Sequence, residues 1–362
     1  MAKDRSLRDF DWWLLAVALV LCAVGVLQIY SATLDTKFRD TWWKQIVWIG
    51  ISLIAMWLVT QVDYHTLLGQ VPLLYSVSLG LIVLTFVFGS FAWGSRRWIG
   101  YGMFRIQISE FFKIVIVLLV ARFLSELKMD RLDGKELLRL TGLVALPMLL
   151  VMLQPDLGTA LTFTPILIVG VFIAGLRWQQ VAVIVALALV FAWPSWYMLR
   201  DYQKDRVLTF VDPGRDPKGK GYQVIQSRIA IGSGGLWGMG ATKGFQTQLQ
   251  FLPVAHADFI FSTLAEEHGF VGVSVVLGLY FLLLLQIVQN AQTAPDRAGM
   301  YICIGVAALM LFHVAINVGM VIGRVPVVGI PLPFLTAGGS NLLSMFIMLG
   351  LVNNVRLRRF VN

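Results

Sequence analysis

Several acidic positions and one lysine stand inside or at the edges of long apolar stretches, where an ionisable side chain is costly and is a candidate for function. Asp258, in Leu252-Pro253-Val254-Ala255-His256-Ala257-Asp258-Phe259, closes a long polar stretch where the chain turns apolar again. A carboxylate there meets water on one side and low dielectric on the other, the setting of a general base; capping a helix is its competing use. Glu110 and Lys113, in Gln-Ile-Ser-Glu-Phe-Phe-Lys, are spaced i, i+3. A helix puts both on one face, either as a structural ion pair or as part of a substrate site. Asp156, in Gln154-Pro155-Asp156-Leu157-Gly158-Thr159, lies between two short apolar blocks and reads as an N-cap or as a site residue. Glu266 and Glu267 follow Asp258 about two turns deeper and read as supporting groups.

Two glycine-rich runs offer backbone rather than side-chain chemistry. Ile231-Gly232-Ser233-Gly234-Gly235-Leu236-Trp237-Gly238-Met239-Gly240 has the glycine density of a dinucleotide loop, but no strand precedes it and no βαβ unit surrounds it. It reads as irregular backbone resting on protein, with Leu236 and Trp237 at the membrane interface. The run from Pro326 to Asn341 breaks any helix with Pro331, Pro333 and its glycines. Gly338, Gly339, Ser340 and Asn341 then offer N–H groups at a helix start, suited to an anion such as phosphate, or serve as plain helix termination. The polar stretch before Asp258 is basic, with Arg200, Lys204, Arg206, Arg215, Lys218, Lys220, Arg228 and Lys243. An anionic lipid-linked substrate suits it; a solvated surface is the alternative.

These residues must be held by membrane helices. The chain of 362 residues is 58% hydrophobic and 14% charged, with a mean hydropathy of +0.77, where a soluble domain carries about a quarter charged residues. Apolar blocks fall near 12–33, 44–62, 70–90, 109–127, 140–154, 158–175, 180–198, 259–288, 298–320 and 335–354. The expected fold is therefore an all-α polytopic membrane protein of about ten transmembrane helices. It forms a single domain over 1–362, with a large ordered extracytoplasmic loop, 199–258, between helices 7 and 8. The formal charge of +9 sits mainly at block ends, which is membrane topology rather than a nucleic-acid surface. Trp12, Trp13, Trp42, Trp43, Trp178, Trp196 and Tyr197 fit headgroup-level anchors. With both termini in the cytoplasm, short-loop cations fall more often inside (Lys3, Arg5, Arg139, Arg297 and Arg356 among them) than outside (Arg39, Arg96, Arg97 and Arg324 among them). Cys22 and Cys303 lie within apolar blocks as small hydrophobes, and the four histidines show no metal-ligand spacing.

Taken together, the motifs resemble the SEDS family (shape, elongation, division and sporulation), the bacterial cell-wall polymerases that include RodA and FtsW. The pieces are Arg97-Trp98 with Gln107-Ile108-Ser109-Glu110 and Lys113; Gln154 to Thr159; Asp212 to Gln226; Ile231 to Gly235; Asp258-Phe259; and the proline-rich run ending Gly338-Gly339-Ser340. Short termini and the opening from Asp11-Trp12 to Ile29-Tyr30-Ser31-Ala32 look more like the RodA branch. The chain departs from the family pattern at Val254 and Ala257, where glutamate and threonine are usual. The resemblance implies a peptidoglycan glycosyltransferase of cell elongation that polymerises lipid II and releases undecaprenyl pyrophosphate. Asp258 is then the catalytic base, and Arg97, Trp98, Glu110, Lys113, Asp156, Arg206, Gly338, Gly339 and Ser340 are the candidate substrate-binding residues, with basic loop residues, Arg97 or the Gly338 to Ser340 turn as alternative holders of the pyrophosphate. No metal site and no cofactor is assigned, although a diphosphate leaves room for a divalent cation. The implied partners are a class B penicillin-binding protein, other elongation-complex proteins, lipid II and the membrane, with no nucleic acid. The implied location is the bacterial cytoplasmic (inner) membrane. The rival activities are a lipid II flippase and a non-catalytic scaffold.

Overall fold

The computed structural model describes residues 9–34, 36–92, 95–100, 102, 104–127, 132–176, 179–182, 186, 197, 201–216, 219–252 and 255–359. Helices α1 (Trp12–Thr33), α2 (Thr41–Gln61), α3 (Tyr64–Gly69) and α4 (Val71–Phe88) lead into strands β1 (Ser90–Ala92), β2 (Ser95–Ile99) and β3 (Ile106–Gln107). Next come α5 (Ile108–Ser125), α6 (Gly134–Leu153), α7 (Leu157–Leu161) and α8 (Phe163–Ile173). The polar stretch holds α9 (Asp201–Val211), a 3-10 turn at Pro213–Arg215, α10 (Lys220–Ser233) and α11 (Phe245–Gln248). The last helices are α12 (Ile260–Gln292), α13 (Arg297–Val321) and α14 (Gly339–Leu357).

Among the described residues six helices, α1, α2, α4, α6, α12 and α13, are long and apolar enough to cross a membrane, and Leu157–Ile173 is a shorter apolar stretch. The block at 180–198 lies largely outside the described residues, and Trp178 and Trp196 lie outside them as well. α5 and α14 are inner helices, buried nearly all round from Ser109 to Ala121 and from Ser340 to Val355. Around them stand helices with bare apolar faces: Ile54, Trp57 and Leu58 on α2, Val83, Leu84 and Val87 on α4, Leu146 and Leu149 on α6. Water would drive such faces together; hydrocarbon solvates them. The architecture is that of a polytopic membrane protein.

Sequence reasoning foresees no strand, yet β1, β2 and β3 form an antiparallel sheet between α4 and α5. Trp98 pairs with Gln107 and Ile99 with Ile106, with Gly100 at φ 109° in the connection. The strands are too short for a period-2 pattern to emerge from an arginine- and glycine-rich stretch.

Aspartates start many helices. Asp11 caps α1 through Leu14 N–H at 3.1 Å, Asp296 caps α13 through Gly299 N–H at 2.7 Å, and Asp63 caps α3 through His65 N–H at 2.9 Å. Asp11 also accepts from Gln286, Asn290 and Arg356 at 2.8, 2.9 and 2.8 Å, tying α1, α12 and α14 together at one end of the bundle. Nearby, His65 bridges Asp63 at 3.0 Å and Asp296 at 2.6 Å. Partial burial opposes protonation of His65, but hydrogen bonds to Asp296 and Asp63 and their charges outweigh it, so its pKa is raised. The imidazolium therefore stabilises the fold fully below about pH 6.5 and loses that contribution as pH rises through the raised folded-state value. The thermal midpoint of wild type relative to His65→Gln is expected to rise on going from about pH 8 to about pH 6; parallel pH profiles for the two proteins contradict this.

α12 is interrupted at Gly269, where φ is 63° and ψ −164°. The glycine-rich run satisfies the opened backbone: Phe270 N–H donates to Gly235 O at 2.9 Å, Val271 N–H to Leu236 O at 3.1 Å, and Met239 and Gly240 donate to the Glu266 and Glu267 carbonyls at 2.9 Å each. A Cβ on Gly234 or Gly238 would lie 2.0 or 2.1 Å from a carbonyl oxygen of α12, so this contact admits glycine alone. Glu266 accepts from Gln246 N–H, Thr247 N–H and Thr247 Oγ1 at 2.7, 3.1 and 2.7 Å; Glu267 accepts from Thr242 N–H at 3.0 Å and from Ser31. Both glutamates thus bind the end of the polar stretch to α12, as supporting groups should. Leu236 and Trp237 remain exposed.

Candidate active site

The run between α13 and α14 forms one wall of the site. Its prolines lack N–H groups, and Gly329 (φ 74°) and Phe334 (φ 66°) take the left-handed conformation. A helix cannot form there, so neighbouring side chains must tie the backbone down. α13 supplies two ties one turn apart. Asn317 Nδ2 donates to Ile330 O at 2.8 Å and to Asp258 O at 3.2 Å, and His313 Nδ1 donates to Pro331 O at 2.9 Å. Tyr280 donates to Pro333 O, Thr336 Oγ1 accepts from Leu332 N–H at 2.8 Å, and Ala337 N–H donates to His256 O at 3.1 Å. Gln45 of α2 closes the run, donating to Thr336 O at 3.2 Å and accepting from Gly338 N–H at 3.3 Å.

α14 then starts against aromatic and strand neighbours. A Cβ on Gly339 would lie 2.1 Å from the Trp48 ring, so glycine is needed for this approach. Ser340 Oγ accepts from Gln107 N–H at 3.1 Å and donates to Arg105 O at 3.2 Å, fastening the helix start to β3. The first turn of α14 opens towards the cavity described below, with its positive dipole end foremost.

An ion-pair cluster adjoins this run. Asp156 Oδ1 caps α7 through Thr159 N–H at 3.2 Å, while Oδ2 receives Arg97 at 2.9 Å and Gln107 Nε2 at 2.6 Å. Asp156 is therefore a helix cap that also lines the cavity described below. Lys113 Nζ sits 2.7 Å from Glu110 Oε2 and 3.4 Å from His313 Nε2.

Asp258, half-buried, stands where two adjoining cavities meet. The deeper, of about 190 Å³, runs between Glu110, Asp156 and Pro331; the wider, of about 500 Å³, opens past Thr41, Lys44 and Trp48 of α2 and past His256. Arg97, Trp98, Gly338 and Gly339 are shared by both. A Cβ added to Gly329 would lie 3.4 Å from Asp258 Oδ2, so the carboxylate lies against the proline-rich wall. His256 packs its ring 4.8 Å from that of Phe38, and burial lowers its pKa, so it lines the wider cavity as a neutral group at neutral pH.

Arg97, Trp98, Glu110, Asp156, Asp258, Gly338, Gly339 and Ser340 thus line a common cavity. Two of the expected substrate contacts do not. Lys113 is fully buried behind Glu110, because only that pairing makes an ammonium tolerable at membrane depth. Arg206 lies on α9, donates to Val328 O at 3.1 Å and lines a separate cavity of about 140 Å³ with Arg228 and Val327. Gln45, Trp48 and Asn317 carry parts of the site that sequence reasoning passes over, Gln107 figures there only within a motif, and His313 only as a histidine without metal-ligand spacing. Polar side chains within apolar blocks were the available signal for three of them, Gln45, His313 and Asn317.

The donor set does not fit a resident metal ion. Of the carboxylates around the deeper cavity, Asp156 is matched by Arg97 and Glu110 by Lys113, and among the described residues no group of three or more His, Cys, Asp or Glu side chains could hold a metal.

Fold and site together define a multi-pass membrane protein with a polar, two-lobed cavity whose lobes share Asp258. The FtsW/RodA/SpoVE family, described as cell cycle protein, matches residues 11–359, and the chain belongs to it. It is 38% identical to the peptidoglycan glycosyltransferase MrdB of Escherichia coli K12, over 96% of this chain and 94% of the relative. It is 34% identical to the peptidoglycan glycosyltransferase RodA of Treponema pallidum, over 99% and 100%, and 37% identical to the stage V sporulation protein E of Bacillus subtilis, over 95% and 96%. Among solved structures, a chain of a peptidoglycan synthase complex matches with a TM-score of 0.84 at 35% identity, covering 98% of this chain and 99% of that one. The rod shape determining protein RodA of Thermus thermophilus matches with a TM-score of 0.72 at 29% identity, covering 97% and 98%.

Proposed function

We propose that this protein is a peptidoglycan glycosyltransferase that polymerises lipid II during cell elongation, with Asp258 as its base. The observation that carries the assignment is the half-buried Asp258, which among the described residues is the carboxylate shared by two adjoining cavities, an arrangement suited to two sugar substrates meeting at one proton acceptor. Asp258 takes the proton of the acceptor sugar's 4-hydroxyl. That oxygen forms a bond to the donor's anomeric carbon as the bond to the diphosphate breaks, with inversion. Undecaprenyl pyrophosphate leaves as an already stable anion, so no second acid is required. Arg97 and the first turn of α14, both on the cavity wall, complement its charge.

The protein works in the cytoplasmic membrane as one domain with both termini in the cytoplasm, and the 199–258 stretch and Asp258 face outward, where lipid II is polymerised. The relative within a peptidoglycan synthase complex supports pairing with a class B penicillin-binding protein, whose transpeptidase crosslinks each new strand. Purified protein given labelled lipid II is expected to produce a ladder of glycan chains and free undecaprenyl pyrophosphate. Transfer of lipid II across sealed vesicles without chain products would instead make it a flippase and overturn the assignment.

A further inference from the structure

We infer that His313 is a positioning residue for the chemistry at Asp258, acting through the carbonyl of Pro331; the inference rests on the glycosyltransferase reading of this cavity. His313 is completely buried on α13. A carbonyl only accepts, so the contact of 2.9 Å to Pro331 O assigns the proton to Nδ1. That leaves the Nε2 lone pair facing the Lys113 ammonium at 3.4 Å, and Lys113 is itself held by Glu110 at 2.7 Å. The ring is thus fixed in one tautomer from both sides, an arrangement that aims its N–H at one atom.

That atom belongs to the wall of the cavity. Pro331, Glu110 and Asp258 all line it. One turn along α13, Asn317 holds the preceding carbonyl, Ile330 O, at 2.8 Å and the carbonyl of Asp258 itself at 3.2 Å. Two neighbouring side chains of one rigid helix therefore pin successive carbonyls of the proline-rich wall, and one of them pins the base. The prolines at 331 and 333 remove N–H donors this segment would otherwise use to hold itself, so its place depends on donors from outside. An ångström of drift there changes the distance between the base and the acceptor hydroxyl, a displacement that costs on the order of 10²-fold in rate.

Two near-isosteric variants separate positioning from packing. His313→Asn places its amide N–H where Nδ1 stands, whereas His313→Gln extends its amide to the place of Nε2 and presents a methylene towards Pro331. In lipid II polymerisation by the full-length protein, His313→Asn is expected to keep kcat within about threefold of wild type, and His313→Gln to lose about tenfold or more in kcat with KM little changed. Equal kcat in the two variants, or a loss confined to KM, overturns the inference. Failure of both to accumulate as folded protein makes His313 a core residue and overturns it equally. Absence of product from wild type in the same assay refutes the glycosyltransferase reading instead, so the two failures are distinguishable.

Discussion

Asp258→Asn is expected to fold, bind lipid II and polymerise it at a rate lower by on the order of 10²–10⁴, the range that a positioned general base contributes. The substitution keeps the shape of the side chain and removes its capacity to accept a proton. The backbone at this position is held independently of that carboxylate, through Asn317 to the Asp258 carbonyl at 3.2 Å, so the residue stays at the junction of the two cavities. The loss should therefore appear in kcat, with KM near that of wild type, because an interaction made only in the transition state has been removed. The measurement is chain formation from labelled lipid II by both proteins under the same conditions. Full polymerisation by Asp258→Asn would remove the base from the mechanism, and a loss confined to KM would make Asp258 a binding group.

Asp258 stood out in the sequence as a carboxylate where a polar stretch re-enters the membrane, but position alone fits a helix cap equally well, and its part as a base comes from the family resemblance. Glu110 and Lys113 were legible as a pair because helical spacing alone brings them together, and they meet at 2.7 Å. The apolar blocks were legible from hydropathy, and those within the described residues are largely helical, with 158–175 divided between α7 and α8. What the sequence could not supply is which faces of those helices meet. In water an apolar stripe marks the core, but in lipid both the buried and the bare faces are apolar, so the residue pattern loses its direction. Trp57 and Met56 on α2 are neighbours in sequence, one exposed and one buried, without any difference in character that announces it.

The same loss of direction hid the partners of the site residues. Asp156 read as a cap by local rules, and it is one, but Arg97 and Gln107 reach it from a sheet that sequence reasoning did not foresee. His313 shows no metal-ligand spacing in the sequence, and its partner is a proline carbonyl in another segment. Arg206 stands in a basic stretch, but composition says nothing about position: it binds Val328 O beside a different cavity. The glycine-rich run gave a partial signal. Its density marked close backbone approach, whereas the surface approached, the break in α12 at Gly269, is a property of another helix.

Lys113→Met is expected to destabilise the protein by about 3–5 kcal/mol, and the combined Glu110→Leu, Lys113→Met variant to recover most of that loss. Lys113 and Glu110 are both buried, with Nζ and Oε2 2.7 Å apart. Each charge is tolerable there only because the other is present, so removing the lysine leaves a carboxylate without its counter-ion in a low-dielectric interior. It also takes the donor from His313 Nε2, 3.4 Å away, adding a second unsatisfied group. Removing both charges replaces the pair with apolar volume and leaves only the smaller loss at His313. In detergent the single variant should melt on the order of 10 °C below wild type, with the double variant lying much closer. The pattern across wild type, both single variants and the double variant isolates the coupling, because additive effects would make the double variant the least stable of the four. Additivity would mean that Glu110 and Lys113 act separately. The i, i+3 pair would then cease to be the anchor that holds His313, and through it Pro331, in place beside the catalytic cavity.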